Sequence, residues 1–296
     1  MKWNNRGRSA DMEDMRGRGG GGGLGGLPIP GGLAGKGVGG IIITLVLGFI
    51  LNSVAGGGGG GGGLDGLDDI LQGPKSAVEG SVATDAETEE QVAFVSAVFD
   101  DTQAFWGEEL PASMGTDYAK ASIVLFDGPI PSGCGQATPE IGPHYCPPDS
   151  KVYLDLGFFD DLSSRFDAPG DFAQAYVIAH EIGHHVQNVL GTNADMRRQQ
   201  EANPDQANEL SVMLELQADC YAGVWAHSVF EEGDLEDGDV EEGLAAAESV
   251  GDDRLQEQAG AEVNSESWTH GSSEQRMQWF QTGFKSGAPA QCDTFG

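Results

Sequence analysis

The residues best suited to chemistry in this 296-residue chain are His180-Glu181-Ile182-Gly183-His184, an H-E-x-x-H pattern. In a helix, residues four apart are turned by about 400°, so both imidazoles leave one face, about 6 Å apart along the axis. Two ring nitrogens can then reach one zinc ion at about 2.0–2.1 Å. Glu181 is turned about 100° from His180. From there its carboxylate can reach a water beside the metal without ligating it, and can act as general base. A catalytic zinc needs a third protein ligand and one open position. A third histidine in the register H-E-x-x-H-x-x-G-x-x-H is absent, because residue 187 is Gln and residue 190 is Leu. Glu215, 31 residues after His184, is the expected third ligand, with room for a turn and an antiparallel return. Asp219 lies four residues further on, on the same face, and is placed to accept the second ring N–H of a ligand histidine. Surface acids are the alternative reading of this pair. Their setting in LSVMLELQADCYAGVW argues against it, because unpaired carboxylates in an apolar helix are costly.

An oxyanion developing on a scissile carbonyl needs a donor. His270, in Trp268-Thr269-His270-Gly271, is the candidate, and Arg276 is either a second donor or a structural cation. His270 also reads as a residue that merely precedes a helix cap. His144, His185 and His227 read as structural or surface residues.

These side chains must be held by helices. Pro169-Gly170-Asp171 and Gly191 bracket a helix over 171–190, with Phe172, Tyr176, Ala179, Gly183, Val186 and Leu190 forming a core-facing stripe. A second helix is expected over 206–230 and an amphipathic one from Thr84 to Trp106. Shorter helices are expected at 241–250 and 272–284, the last with capping-box spacing between Ser272 and Gln275. SIVLFDGPI and KVYLDLGFF read as strands, the second with Val152, Leu154 and Leu156 on one face and a backbone edge that a peptide could pair with. The acidic segment 231–240 reads as a solvated loop. No internal repeat is present. Strands followed by helices indicate an α+β domain, mostly helical with a small sheet.

Forty-seven glycines, concentrated before residue 64, leave one folded domain behind a flexible head. Residues 1–36 hold six Lys/Arg against three Asp/Glu; the remainder holds nine against 44, within a total net charge of −32. Such an acidic body excludes nucleic acid as a partner. It fits solubility away from a membrane surface, or adaptation to high salt. Val38–Ala55 carries no charge over about 18 residues, near the lower limit for a spanning helix. The basic flank before it predicts a cytoplasmic N-terminus and an extracytoplasmic domain. A cleaved signal peptide is the competing reading, with a long leader of about 36 residues ahead of the apolar core. The expected order is therefore a basic Gly-rich disordered tail (1–36), one transmembrane helix (37–55), a Gly-rich linker (56–80) and the catalytic domain (81–296). Cys134, Cys146, Cys220 and Cys292 form no C-x-x-C pair; their even number fits two disulfides in an oxidising compartment.

HEIGHHVQ, ELQADCYAGVWA, CPPDSKVYLDLGFF and THGSSEQRMQWF resemble the bacterial family of neutral zinc metallopeptidases, the YpfJ-like proteins. The resemblance covers nearly the whole chain, including the MKW start, the glycine-rich stretch and the apolar span. It implies a zincin-like, membrane-anchored metallopeptidase with Zn2+ bound by His180, His184 and Glu215. The E-x-x-A-D element is similar to that of membrane-associated peptidases whose Glu is the third ligand, which supports Asp219 behind the metal. His270 and Arg276 resemble a His…Arg element near the end of those domains, whereas His144 stands where an aromatic residue is expected.

The expected activity is hydrolysis of extracytoplasmic proteins or peptides. The rival is a zinc-binding scaffold or chaperone-like module without turnover, against which the intact Glu181 argues. A latent enzyme, covered by the 131–148 loop or the acidic segment, is the third reading. Nothing in the sequence specifies an oligomeric state.

Overall fold

A computed structural model describes residues 1–17, 43–44 and 85–296. The strands are β1 (Met12–Asp14), β2 (Ile43–Thr44), β3 (Ser122–Phe126), β4 (Ile130–Ser132), β5 (Gly135–Ala137), β6 (His144–Cys146) and β7 (Lys151–Asp155). The helices are α1 (Asp85–Glu109), α2 (Gly157–Ser164), α3 (Asp171–Leu190), α4 (Thr192–Ala202), α5 (Ala207–Glu232), α6 (Asp239–Ser249), α7 (Asp252–Gln258) and α8 (Ser273–Ser286). The fold is α+β and mostly helical, with a five-stranded sheet ordered β1-β3-β7-β6-β2 and a β4-β5 hairpin.

Strand alternation divides the sheet's two faces. Ile123 and Leu125 of β3 and Val152 and Leu154 of β7 enter the main core with the helices. Val124, Phe126 and Tyr153 point the other way and are covered by Ile130 and Ala137 of the hairpin. The Cys134–Cys146 disulfide fastens the hairpin to β6. A second disulfide, Cys220–Cys292, ties α5 to the C-terminal segment. β7 pairs with β3 on one side and β6 on the other. The KVYLDL strand therefore has no free edge, and the expectation that it receives a peptide there is overturned. Its continuation is also different: Phe158 and Phe159 belong to α2, because the chain turns into helix at Gly157.

α3 has the bounds the sequence predicts, 171–190. Its environment differs from a one-sided stripe, because every residue from Ala175 to Gln187 is buried. On α5 the same holds from Leu214 to Ala226. The two buried helices cross at a point where no side chain intervenes: a Cβ on Gly183 would lie 2.9 Å from the Ala218 carbonyl oxygen. α8 lies as close to α5, because a Cβ on Gly223 would strike the backbone of Phe280 and one on Gly283 that of Cys220. α8 starts with the expected capping box between Ser272 and Gln275.

The expected transmembrane helix, 37–55, lies outside the described residues apart from Ile43–Thr44. Those two form β2, paired antiparallel with Tyr145 and His144 of β6, and not a helical turn. Among the described residues no helix is long and apolar enough to cross a membrane. The linker 56–80 also lies outside them. Residues 1–17, expected as a free basic tail, are instead packed on the domain: β1 runs parallel to β3 with Met12 opposite Ile123 and Asp14 opposite Leu125. Trp3 packs edge-on against Phe94, and the Met1 ammonium sits on Asp171 at 2.7 Å and Asp239 at 3.2 Å. Low hydrophobicity made this segment read as unstructured; backbone pairing and charge complementarity order it.

Candidate active site

α3 supplies His180, Glu181 and His184, and α5 supplies Glu215 and Asp219, across the Gly183–Ala218 contact. His180 Nε2 lies 3.2 Å from Glu215 Oε2, and His184 Nε2 lies 3.5 Å from Glu215 Oε1. The two imidazoles stand nearly perpendicular, their centroids 4.7 Å apart. A tetrahedral ion with bonds of about 2.0–2.1 Å keeps its ligands about 3.3 Å apart, so these two separations suit a zinc site, and one ligand atom from each of the three residues lies within 4.8 Å of the others. His184 Nε2 is buried without a hydrogen-bond partner among the described residues, as a metal-facing nitrogen would be. Two imidazoles and a carboxylate are also a catalytic zinc donor set.

The other ring nitrogens are held from behind. His180 Nδ1 donates to Asp219 Oδ1 at 2.8 Å, which leaves Nε2 for the metal. Asp219 also accepts from the Tyr176 hydroxyl at 2.5 Å and from both Nε and Nη2 of Arg276 at 2.8 and 2.9 Å. Burial alone would protonate Asp219, but the charges of Arg276 and His180 outweigh it and hold its pKa below the usual 3.8. Arg276 is fully buried; it also donates to Val250 O and the Tyr176 hydroxyl, and its Nη2 lies 3.9 Å from Glu215 Oε2. The structure thus directs it to Asp219. His184 Nδ1 donates to Gln187 Oε1 at 2.9 Å, and the Gln187 amide donates in turn to Leu214 O at 2.7 Å, next to Glu215. One amide therefore sets the tautomer of one candidate ligand and ties it to the helix of another.

Glu215 is buried, yet its pKa is held well below 4.5: desolvation is outweighed first by the charge of His184, then by the close approach of His180 and by the charge of His270. Glu181 is the opposite case. It is equally buried, and neither oxygen has a hydrogen bond of normal geometry among the described residues. Desolvation pushes its pKa up to about 8, with His184 opposing and Glu215 assisting. Two neighbouring buried carboxylates are thus driven apart in proton affinity, as the acid and base of a catalytic site would be.

His270 is buried and within electrostatic reach of Glu215. Its loop is moulded on one carboxylate: Asp252 Oδ2 accepts the backbone N–H groups of Thr269, His270 and Gly271, while Oδ1 faces His270 Nδ1 at 3.1 Å. Burial disfavours the imidazolium, but Asp252 and Glu215 outweigh it and raise the His270 pKa above 6.5. The other histidines are structural. His185 bridges the Tyr145 hydroxyl and Ala119 O, His144 stacks on Tyr153, and His227 Nδ1 bonds to Phe284 O. Sequence reasoning missed Gln187, Asp252 and Tyr176. Gln187 and Tyr176 stand three and four residues from a ligand histidine and so share its face, a usable signal. Asp252 had none, being one acid among many.

An H-E-x-x-H helix crossed by a helix with a downstream glutamate defines the zincin class of metallopeptidase site. The chain belongs to the family described as "Putative neutral zinc metallopeptidase", which matches residues 1–295. Zinc is the cofactor expected of that family. Its relatives include "Uncharacterized protein YpfJ" of Escherichia coli strain K12, 44% identical over 297 residues, covering 100% of this chain and 99% of the relative. "Uncharacterized protein Rv2575" of Mycobacterium tuberculosis strain H37Rv is 44% identical over 212 residues, covering 68% of this chain and 69% of the relative. No solved structure matches the chain.

Proposed function

We propose that this protein is a zinc-dependent peptidase that hydrolyses peptide bonds with Glu181 as general base. The observation that carries the reading is the convergence of His180, His184 and Glu215 on one buried point beside an unpartnered Glu181. When bound, zinc would supply Lewis acidity that polarises a carbonyl and acidifies water. The protein's own groups do the rest. Asp219 and Gln187 keep both imidazoles in the tautomer that presents Nε2. Glu181 takes the proton from the attacking water and passes it to the leaving amine. His270, whose charged form Asp252 favours, donates a hydrogen bond where the carbonyl oxygen gains charge.

Two disulfides support an oxidising, extracytoplasmic compartment, and with it extracytoplasmic proteins or peptides as substrates. The test is metal content and casein or peptide hydrolysis, side by side, for the full chain and its Glu181→Gln variant. One zinc per chain in both, with cleavage by the wild type alone, is expected. Zinc in both and cleavage in neither supports the binding-module reading; metal in neither overturns the site.

A further inference from the structure

We infer that residues 1–17 are a structural part of the catalytic body and lie on the same side of any membrane as residues 85–296. Ile123 N donates to Asp11 O at 2.9 Å and Met15 N to Leu125 O at 2.8 Å, so β1 is the edge strand of the sheet whose other strands lead to the site. Side chains then fix the segment to several elements. Glu13 pairs with Lys151 of β7 at 2.6 Å, Arg8 with Glu89 of α1 at 2.7 Å, and Ser9 Oγ donates to Asp100 of α1 at 2.5 Å. Lys2 N and Nζ donate to the carbonyls of Asp234 and Gly233.

A bilayer's hydrocarbon core is about 30 Å thick. None of these contacts can form across it. The packing is therefore incompatible with a cytoplasmic tail joined by one crossing to an external domain.

The charges point the same way. Counted by type, the basic residues of the head would hold that end in the cytoplasm. Among the described residues, Arg8 bridges Asp14 and Glu89 and Arg16 clasps Asp14, while burial raises the Asp101 pKa and the nearby charge of Arg6 opposes that rise. Arg8 and Arg16 thus also reach Glu89 of the acidic body, so part of the head's positive charge is spent on the domain. That the two parts share a side follows from the packing alone; that the side is extracytoplasmic rests on the disulfide reading above.

The test uses the full chain in bacterial cells, with single exposed cysteines introduced as Asn4→Cys or Glu201→Cys. A membrane-impermeant maleimide is applied to spheroplasts before and after lysis, with the unsubstituted chain as blank. In parallel, a zero-length carbodiimide cross-link between Glu13 and Lys151 is sought by peptide mass spectrometry. Equal labelling of both cysteines before lysis, with the cross-link present, is the expected result. Labelling of both only after lysis upholds the shared side and removes the extracytoplasmic reading. One cysteine labelled before lysis and the other only after, or a missing cross-link, overturns the inference.

Discussion

Gly183 and Ala218 meet backbone to backbone. A Cβ on Gly183 would lie 2.9 Å from the Ala218 carbonyl oxygen and 3.1 Å from its Cα, and Ala218 stands between Glu215 and Asp219. The glycine inside the H-E-x-x-H pattern thus sets the distance from the two histidines to their third partner and to the carboxylate behind it.

Gly183→Ala is accordingly expected to force α3 and α5 apart. Overpacking of this kind costs about 1–3 kcal/mol of stability. Because the displacement falls between ligands, zinc affinity should drop by about tenfold or more. Thermal unfolding and competition against a zinc chelator measure the two effects; a normal zinc affinity would show that the ligands are not positioned by this contact.

Gln187 acts on one ligand only. Gln187→Leu leaves His184 Nδ1 without an acceptor and should weaken zinc binding by about 10–100-fold. Gln187→Glu keeps the acceptor and loses the donor to Leu214 O, so it should recover most of the affinity. Equal losses in both variants would assign the residue to packing alone.

The Asp252–His270 pair yields a pH window. Asp252 is held below its ordinary 3.8 because hydrogen bonds and charge from His270 outweigh desolvation, so its contribution is present above 3.8 and lost as pH falls. His270 is raised above 6.5, so its contribution is present below 6.5 and lost as pH rises through the raised value. Breaking a buried pair costs about 3–5 kcal/mol. Asp252→Asn should lower the unfolding temperature most between about pH 4 and 6.5. It should also move the alkaline limb of kcat towards lower pH, with KM little changed. A uniform loss at all pH values would leave the carboxylate with a loop-holding role only.

Stripping the metal should destabilise the whole domain, because the buried His184 Nε2 and the buried carboxylates of Glu181 and Glu215 then lack the ion's charge. Zinc at about 100 times its Kd would restore about 2.7 kcal/mol. Calorimetry with and without chelator reads this directly. An unfolding temperature indifferent to zinc would argue that the triangle holds no ion.

What could be read from sequence depended on how local the signal was. The span of α3, its two histidines and the Ser272–Gln275 cap are set by spacing within a few turns, and they are where the spacing places them. Glu215 was legible because an acid amid apolar residues needs a partner. Asp252 was not, since its meaning lies in three backbone N–H groups seventeen to nineteen residues away, and 47 acids compete for notice. α4 is polar on most of its length and shows no stripe to find. β1 was missed for a related reason: three residues, Met-Glu-Asp, become a strand only because β3 offers them an edge.

The burial of α3 from Ala175 to Gln187 has a consequence for the protein's history. Where a catalytic motif rides on a half-exposed helix, selection can tune chemistry and solubility on separate residues. Here the groups proposed to react are themselves core positions, so one substitution is judged twice. Inactive variants of this protein should be over-represented among those that express poorly, and a screen for soluble yield would recover much of the map that a screen for activity would draw.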